Sequence, residues 1–290
     1  MLNFRKVTVE DKPIIDAFLG STSETSCEST FMNMLMWQDT YGMRVCVQDD
    51  CLLIVTDGGD GEIYGLPYGN FAHGMELLRS NVAADKLRIW AQDGERFEKF
   101  CALYGENYDI SETRDAFDYV YLLSDLAELS GKKYQSKRNH ISAFSRSVSW
   151  RYEPVRADNA DAVRKCALQW YDENSADSDK YLCAERDGVL VMLDNLRRLG
   201  IIGGAVIADG KVVAFTLGTP INADMFDTHI EKALREYSSA YAVVNREFAR
   251  SLDGYKYINR EDDMGLEGLR RAKTSYRPNF MVKKYVCVPR

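Results

Sequence analysis

Three titratable residues, Asp227, His229 and Glu231, alternate along Met225–Ala233, which we predict to be a strand. Successive side chains of a strand point to opposite faces, so this alternation places all three on one face. A carboxylate or a neutral imidazole can act as a general base that takes a proton from a reacting group. Glu231 and His229 are therefore the leading candidates for a general base, with Asp227 beside them. The other interpretation is a solvated polar strand face that carries no chemistry.

A second polar group, Asn259, Asp262 and Asp263, lies at the end of the strand predicted over Tyr255–Asn259 and just after it. Ligands often bind where the strands of an open sheet end. The two carboxylates are candidates for holding the amino or ammonium group of a substrate. Alternatively, they complement the dipole of the helix predicted over Leu266–Ser275.

The segment Gly131–Tyr152 is basic and contains no acidic residue. Its apolar spacing predicts a linking helix with one buried stripe and one basic face. Lys137 and Arg138 on that face could bind phosphate by charge and, for arginine, by paired hydrogen bonds. An adenosine 3′-phosphate, a tRNA acceptor stem and a lipid headgroup all offer such a group. A solvated linker is the alternative.

The composition limits the class of protein. With 290 residues, 46% of them hydrophobic, the chain can form two packed units, and its net charge of −7 argues against a general polyanion-binding surface. Seven cysteines without CxxC pairs favour neither disulfides nor a zinc module. The charged amino terminus and the lack of a long apolar run predict a cytoplasmic protein without membrane insertion.

Several common catalytic motifs are missing. The sequence contains no GxxxxGK[ST], no strand-borne GxGxxG, no GxSxG and no HExxH. Nucleotide hydrolysis, dinucleotide redox chemistry, serine hydrolysis and zincin chemistry therefore have no support. We expect no metal.

The predicted elements follow a mixed order that is used twice along the chain. In the second half, two helices precede a hairpin turning at Asp209-Gly210, and strands then alternate with helices up to a last strand over Phe280–Val288. This order predicts an α/β fold with mixed sheets rather than an alternating, doubly wound one. We place the two domains at residues 1–135 and 136–290.

Four stretches of the sequence carry a family resemblance. They are Asn33-x-x-x-Trp37-x-x-x-Tyr41, Lys137-Arg138-Asn139-His140-Ile141, Tyr237-Ser-Ser-Ala-Tyr241-x-x-x-Asn245 and the closing stretch from Asn259 to Pro278. These stretches resemble the C-terminal domain family of phosphatidylglycerol lysyltransferase. The element order also resembles the GNAT acyltransferase fold, in the tandem arrangement of the aminoacyl-transferases called Fem proteins.

The resemblance implies two tandem GNAT-like domains, a degenerate one at residues 1–135 and an active one at 136–290. It implies transfer of an acyl or aminoacyl group from acyl-CoA or aminoacyl-tRNA to an amine or hydroxyl acceptor, either a small molecule or a lipid headgroup. A tRNA partner is possible under this interpretation, and the oligomeric state stays open. The alternative is a non-catalytic GNAT-fold module that binds a phosphate-containing ligand.

The resemblance also assigns roles to two further sites. GNAT proteins bind the donor pyrophosphate on backbone amides, at an Arg/Gln-x-x-Gly-x-Gly/Ala turn between a strand and a helix. Arg235-Glu-Tyr-Ser238-Ser239-Ala240 occupies the matching place, with serine for the first glycine. Simple helix capping by Ser238 or Ser239 is the alternative. Tyr276, or Tyr241, could protonate the leaving group, although a core role is the alternative for either tyrosine.

Overall fold

The computed structural model describes residues 2–175 and 178–290. Its helices are α1 (Lys12–Leu19), α2 (Phe31–Tyr41), α3 (Phe71–Asn81), α4 (Glu95–Tyr104), α5 (Leu123–Glu128), α6 (Gln135–Ser147), α7 (Ala160–Glu173), α8 (Lys180–Asp194), α9 (Leu196–Leu199), α10 (Ala240–Ser251) and α11 (Glu267–Thr274). Across the described ranges, each helix is too short or too polar to cross a bilayer.

The strands form two sheets. They are β1 (Arg44–Gln48), β2 (Cys51–Gly58), β3 (Gly61–Gly65), β4 (Tyr68–Gly69), β5 (Arg88–Gln92), β6 (Tyr108–Glu112), β7 (Asp118–Leu122), β8 (Trp150–Pro154), β9 (Ile202–Ala208), β10 (Lys211–Pro220), β11 (Met225–Ala233), β12 (Tyr257–Asn259), β13 (Phe280–Val282) and β14 (Lys284–Pro289). The first sheet has the order β1-β2-β3-β5-β14-β6, with β4 paired to β2, and the second has the order β13-β7-β12-β11-β10-β9-β8. Both sheets mix parallel and antiparallel pairs.

The chain forms two compact units, and neither is one continuous segment. The first unit contains Met1–Tyr119, Asp262–Arg271 and Met281–Arg290, and the second contains Val120–Glu261 and Ala272–Phe280. The units therefore divide the chain differently from the predicted boundary between residues 135 and 136. The physical reason is β14, which is hydrogen-bonded between β5 and β6 and so returns the end of the chain to the first sheet.

Two predicted elements are interrupted. The strand expected over Phe280–Val288 is divided into β13 and β14 at Lys283, whose backbone N–H donates to the Asp93 carboxylate at 3.1 Å. The second of the two helices predicted before the Asp209-Gly210 hairpin is divided into α8 and α9 at Asn195, whose side-chain amide donates to the Val191 carbonyl at 3.0 Å. In both places a local hydrogen bond competes with the regular backbone pattern.

A hairpin turn and a β-bulge position the strands around β11. The predicted hairpin is confirmed, because Asp209 and Gly210 join β9 to β10 with φ angles of 52° and 77°. A bulge then follows in β10 between Leu217 and Gly218. A Cβ at Gly218 would lie 2.0 Å from the Asp227 carbonyl oxygen, so only glycine allows β10 to approach β11 this closely.

The neighbouring strand β12 pairs only with the start of β11. The two strands pair in parallel over Met225–Asp227 and Tyr257–Asn259, and α10 lies between them in sequence. Phe226 anchors this end of β11, since its ring lies 5.6 Å from the ring of Phe248 and 5.4 Å from that of Tyr255. The rest of β11, up to Ala233, extends beyond the end of β12.

The first unit contains a buried charge network around Lys284 of β14. The Lys284 ammonium lies 2.7 Å from the Asp118 carboxylate and 3.1 Å from that of Glu28, and its side chain is 1% exposed. The second oxygen of Glu28 accepts hydrogen bonds from Trp90 and Gln92, each at 2.6 Å. Burial alone would lower the pKa of Lys284, but Asp118 and the other acidic neighbours raise it well above its ordinary value. Lys284 therefore stays charged, and its ion pairs stabilise the interior of the first unit.

We expect Lys284→Met to lower the free energy of unfolding by about 3–5 kcal/mol, because it leaves two carboxylates without their cation. Urea denaturation measures the loss. The adjacent Lys283→Met is the matched control, since its ion pair with Glu112 is exposed and its loss changes stability little. Equal losses in the two variants would contradict this stabilising role of Lys284.

Candidate active site

His229 is held on both ring nitrogens. Its Nδ1 lies 3.0 Å from a Glu261 carboxylate oxygen and 3.3 Å from an Asp227 carboxylate oxygen, and its Nε2 lies 2.8 Å from the Thr219 hydroxyl. The side chains of His229 and Asp227 are both 0% exposed, whereas that of Glu261 is 19% exposed. The alternation in β11 thus brings Asp227 and His229 together, in a position sealed from solvent.

Glu231 belongs to a different group of side chains. Its carboxylate accepts a hydrogen bond from Arg260 Nη2 at 2.8 Å and one from the side-chain amide of Asn245 at 3.0 Å. The predicted row of three titratable residues therefore divides, with His229 and Asp227 facing Glu261 and with Glu231 facing Arg260.

Arg260 keeps one donor unused. Its guanidinium lies 4.8 Å from the ring centroid of Tyr276 and 5.6 Å from that of Tyr121. Its Nη1 is buried and has no hydrogen-bond partner among residues 2–175 and 178–290, and the same holds for the side-chain oxygen of Asn245. Buried polar atoms are rarely left unpaired in native proteins, because each costs about 1–3 kcal/mol. Each of these two atoms could therefore pair with a polar group of a ligand.

Lys137 of α6 completes this group. Its ammonium lies 3.8 Å from the ring centroid of Tyr276. Burial, together with the nearby charge of Arg260, lowers the pKa of Lys137 to about 8. Burial also raises the pKa of the Tyr276 phenol, which therefore stays protonated at neutral pH. We refer to Lys137, Glu231, Arg260 and Tyr276 as the β11-edge cluster.

The turn predicted to bind pyrophosphate already faces a carboxylate. The Arg235 backbone N–H donates to the Glu173 carboxylate at 3.1 Å, and its guanidinium donates to the Glu173 carbonyl at 2.7 Å. Ser238 is exposed, and Ser239 precedes α10 without a side-chain capping bond to any described residue. The turn is open to solvent at Ser238, as a phosphate-binding turn needs to be. Its first amide is occupied, however, and the binding role of Arg235–Ala240 stays a prediction.

The second predicted phosphate ligand, Arg138, is engaged within the chain. Its guanidinium donates to the carbonyls of Leu129 and Gly131 and to the side chain of Gln135. These bonds fix the loop that precedes α6. Lys137 and Arg138, neighbours in sequence, therefore differ in role, because only Lys137 joins the β11-edge cluster.

Asn259 and Glu261 shape the backbone just after β12. The Asn259 side chain is 0% exposed by residue and accepts the Glu261 backbone N–H at 2.7 Å. Glu261 adopts a left-handed conformation with a φ of 56°, which is costly for a residue with a side chain. The hydrogen bond that the Asn259 side chain accepts from the Glu261 backbone N–H offsets that cost and directs the chain after β12. This contact supports a positioning role for Asn259.

Asp263 is fully used by partners inside the first unit. It accepts hydrogen bonds from Arg270 at 2.9 Å and from the Tyr119 hydroxyl at 2.5 Å, and its side chain is 0% exposed. Burial alone would raise the pKa of Asp263, but the bonds from Arg270 and Tyr119 lower it to about 2. The more exposed Asp262 accepts the backbone N–H of Met264 at 3.1 Å. These contacts favour a structural role for Asp263, and substrate binding by either aspartate stays a prediction.

The sequence model of the family "Phosphatidylglycerol lysyltransferase, C-terminal" matches residues 21–288. The chain belongs to this family. A curated relative, an uncharacterized protein of Mycoplasmoides gallisepticum, is 24% identical over 187 residues, which are 62% of this chain and 58% of that protein. The matched segment thus spans little more than half of the relative's length.

Solved structures of other proteins are similar over nearly the whole lysyltransferase-family chain. A conserved protein of unknown function from Bacteroides thetaiotaomicron is 34% identical, with a TM-score of 0.89 and coverage of 100% of both chains. The C-terminal domain of a protein assigned as a lysylphosphatidylglycerol synthetase in Agrobacterium fabrum is 13% identical, with a TM-score of 0.65, covering 97% of this chain and 92% of that one. FemX is 8% identical, with a TM-score of 0.50 and coverage of 98% and 97%. The predicted α/β fold with mixed sheets is confirmed, and the overall fold is similar to that of FemX.

Sequence reasoning missed four residues of the site. Arg260 and Glu261 lie inside the closing stretch that carried the family resemblance, and Asn245 ends the Tyr237 stretch. Those motifs could have indicated all three. Thr219 had no such signal, because its position depends on the bulge that shifts β10 relative to β11.

The low pKa of Asp263 predicts a pH dependence. A folded-state pKa of about 2 against an ordinary 3.8 adds about 2 kcal/mol of stability above pH 4, which is lost as the pH falls from about 4 to 2. We therefore expect Asp263→Asn to be destabilised at pH 7 and to lose less further stability below pH 4 than the parent chain. Urea unfolding across this pH range measures both effects. Asp262→Asn is the control, and an equal effect there would contradict the assignment.

Proposed function

We propose that the chain transfers an acyl or aminoacyl group to an amine or hydroxyl acceptor at the β11-edge cluster. Membership of the phosphatidylglycerol lysyltransferase C-terminal family and the fold shared with FemX support a transferase of this class. The observation that carries the proposal is the buried Arg260 Nη1, a cationic donor with no described hydrogen-bond partner, in a group that also contains Lys137 and Tyr276.

Arg260 is the group that stabilises negative charge. Acyl transfer passes through a tetrahedral intermediate, and donors fixed in a dry site are most effective at stabilising its oxyanion. Glu231 binds Nη2 at 2.8 Å and thereby fixes the guanidinium, while Nη1 stays available for the oxyanion. In this arrangement Glu231 is a positioning residue rather than the general base that the sequence suggested.

Lys137 is the group that takes the proton. A lysine with a pKa of about 8 is partly neutral at physiological pH and can accept a proton from the attacking amine or hydroxyl. The acceptor then forms a bond to the donor carbonyl carbon, and the bond from that carbon to the ribose oxygen or the thiol sulfur breaks. The leaving oxygen or sulfur takes up a proton, for which the protonated phenol of Tyr276 is the candidate donor.

The turn at Arg235 favours aminoacyl-tRNA over acyl-CoA as the donor. The Glu173 carboxylate accepts the Arg235 amide, which is the first donor that a pyrophosphate would need, and its negative charge repels phosphate. A tRNA donor does not require this turn, because it offers an ester at its 3′ end and phosphates along an extended backbone. The exposed Lys132 would contribute to such a contact.

A non-catalytic binding module is the second candidate. The observation in its favour is the engagement of three predicted catalytic or phosphate-binding groups within the chain, namely His229, Glu231 and Arg138. A module of this kind would bind a phosphate-containing ligand without turnover.

Calorimetric titrations with acetyl-CoA, a longer acyl-CoA and a non-hydrolysable aminoacyl-tRNA analogue test the donor. We expect the tRNA analogue to bind with a steep salt dependence and the CoA compounds to bind weakly. Transfer of a radiolabelled aminoacyl group to amine or hydroxyl acceptors then separates an enzyme from a binding module. A folded chain that binds none of these donors would overturn the proposal, and binding without transfer would favour the module.

We expect Arg260→Met to reduce kcat by about 10²- to 10³-fold, because the oxyanion loses a fixed donor. Single-turnover transfer with bound donor measures the chemical step separately from donor binding. Arg246→Met is the matched control, since it removes another partly buried arginine that is paired with a glutamate, Glu247. Equal losses in the two variants would show a general stability effect instead.

The low pKa of Lys137 predicts the pH profile of transfer. Because the neutral amine is the active form, kcat/KM should rise between pH 7 and 9 with an apparent pKa of about 8. Lys137→Arg retains the positive charge but cannot lose its proton in this range, so transfer should fall sharply and the rise should disappear. Lys132→Arg, on the exposed part of the same basic segment, should keep the parental profile. A Lys137→Arg enzyme with the parental profile would exclude Lys137 as the base.

A further inference from the structure

We infer that Asp227, His229 and Glu261 form a binding site for a divalent transition-metal cation of the Zn²⁺ or Mn²⁺ class. The site is separate from the β11-edge cluster and does not depend on the proposed transfer reaction. Two of its residues lie on β11 and the third lies just after β12, so no local sequence motif announces it.

The three side chains converge on one point. One ligand atom from each residue, an imidazole nitrogen and two carboxylate oxygens, lies within 4.8 Å of the other two. His229 Nδ1 is 3.0 Å from the Glu261 oxygen and 3.3 Å from the Asp227 oxygen. In a tetrahedral zinc site with bonds of about 2.1 Å, neighbouring ligand atoms lie about 3.4 Å apart. Small side-chain movements would therefore be enough to surround a cation.

Thr219 orients the imidazole for this role. Its hydroxyl lies 2.8 Å from His229 Nε2 and can accept the proton on that nitrogen. The Nδ1 lone pair is then free to face the two carboxylates. Metal-binding histidines almost always donate their second ring nitrogen to an oxygen in this way, which fixes both the tautomer and the ring orientation.

The charges of this group also favour the binding of a cation. Two carboxylates approach a single ring nitrogen, which carries at most one proton, and the side chains of Asp227 and His229 are completely buried. Like charges held this close in a desolvated position repel each other strongly. The adjacent Arg260 directs its Nη2 to Glu231, as described above. A divalent cation would balance the two negative charges directly.

The ligand set selects among cations. One imidazole with two carboxylates suits Zn²⁺ and Mn²⁺, whereas Ca²⁺ and Mg²⁺ prefer sites made of oxygen ligands alone. Glu261 is the partly exposed member, at 19%, and so marks the side from which the ion would enter and where a further ligand could bind.

Metal titrations of the chelator-treated chain test the site. We expect one equivalent of ZnCl₂ to bind, MnCl₂ to compete for it, and MgCl₂ or CaCl₂ in large excess to fail to displace it. Glu261→Gln should weaken Zn²⁺ binding at least tenfold, and Thr219→Val should weaken it by about 10- to 100-fold through loss of the second-nitrogen contact. Thermal unfolding should shift upward with Zn²⁺ in the parent chain and less in both variants.

His73→Gln is the matched control. His73 also lies near two carboxylates, at 3.3 Å from Asp49 and 3.9 Å from Glu76, but all three side chains are exposed. Its substitution should leave Zn²⁺ affinity unchanged, and loss of binding in this variant would overturn the assignment. So would the absence of Zn²⁺ binding at millimolar concentration, or an affinity that Glu261→Gln does not change.

A spectroscopic measurement on the unmodified chain keeps the test decisive if a variant fails to fold. Co²⁺ bound by one imidazole and two carboxylates in a four-coordinate site gives strong visible absorption bands, which one equivalent of Zn²⁺ should abolish. A weak spectrum typical of octahedral, surface-bound Co²⁺ would overturn the proposal. Neither result depends on transferase activity.

Discussion

The short parallel pairing between β11 and β12 is the constraint on which the candidate active site depends. The two strands share only the positions from Met225 to Asp227 and from Tyr257 to Asn259, while β11 continues to Ala233. Beyond Asn259 the segment that follows β12 no longer pairs with β11 as a strand. It supplies the side chains of Arg260 and Glu261 instead. Ionisable side chains therefore lie beside the remaining part of β11, where a longer β12 would have formed backbone hydrogen bonds with it.

This arrangement requires the backbone to leave β12 abruptly. Glu261 contacts His229 with its φ at 56°, a conformation disfavoured for a residue with a Cβ, and the buried Asn259 side chain compensates by accepting the Glu261 backbone N–H at 2.7 Å. Arg260 and Glu261, neighbours in sequence, belong to different groups of charges, since Arg260 contacts Glu231 and Glu261 contacts His229.

Local signals predicted the elements well, and the contacts between distant segments less well. Asp209-Gly210 specified its hairpin by turn chemistry alone, and the alternation in β11 correctly brought Asp227 beside His229. The partners Glu261 and Thr219 depend on strand order and on a bulge, neither of which leaves a periodic pattern in the sequence. The same holds for β14, since nothing local in its sequence indicates a place between β5 and β6.

Two buried ion pairs in this chain lead to opposite conclusions about role. Around Lys284, Asp118 and Glu28 both contact the ammonium, and the remaining oxygen of Glu28 is bonded to Trp90 and Gln92, so the network is saturated from within. Buried pairs contribute little net stability even then, because desolvation offsets much of the attraction. Around Arg260 the same desolvation is incurred, yet Nη1 stays unpaired within the described chain. Stability alone does not account for such a pair, whereas a bound oxyanion would complete it.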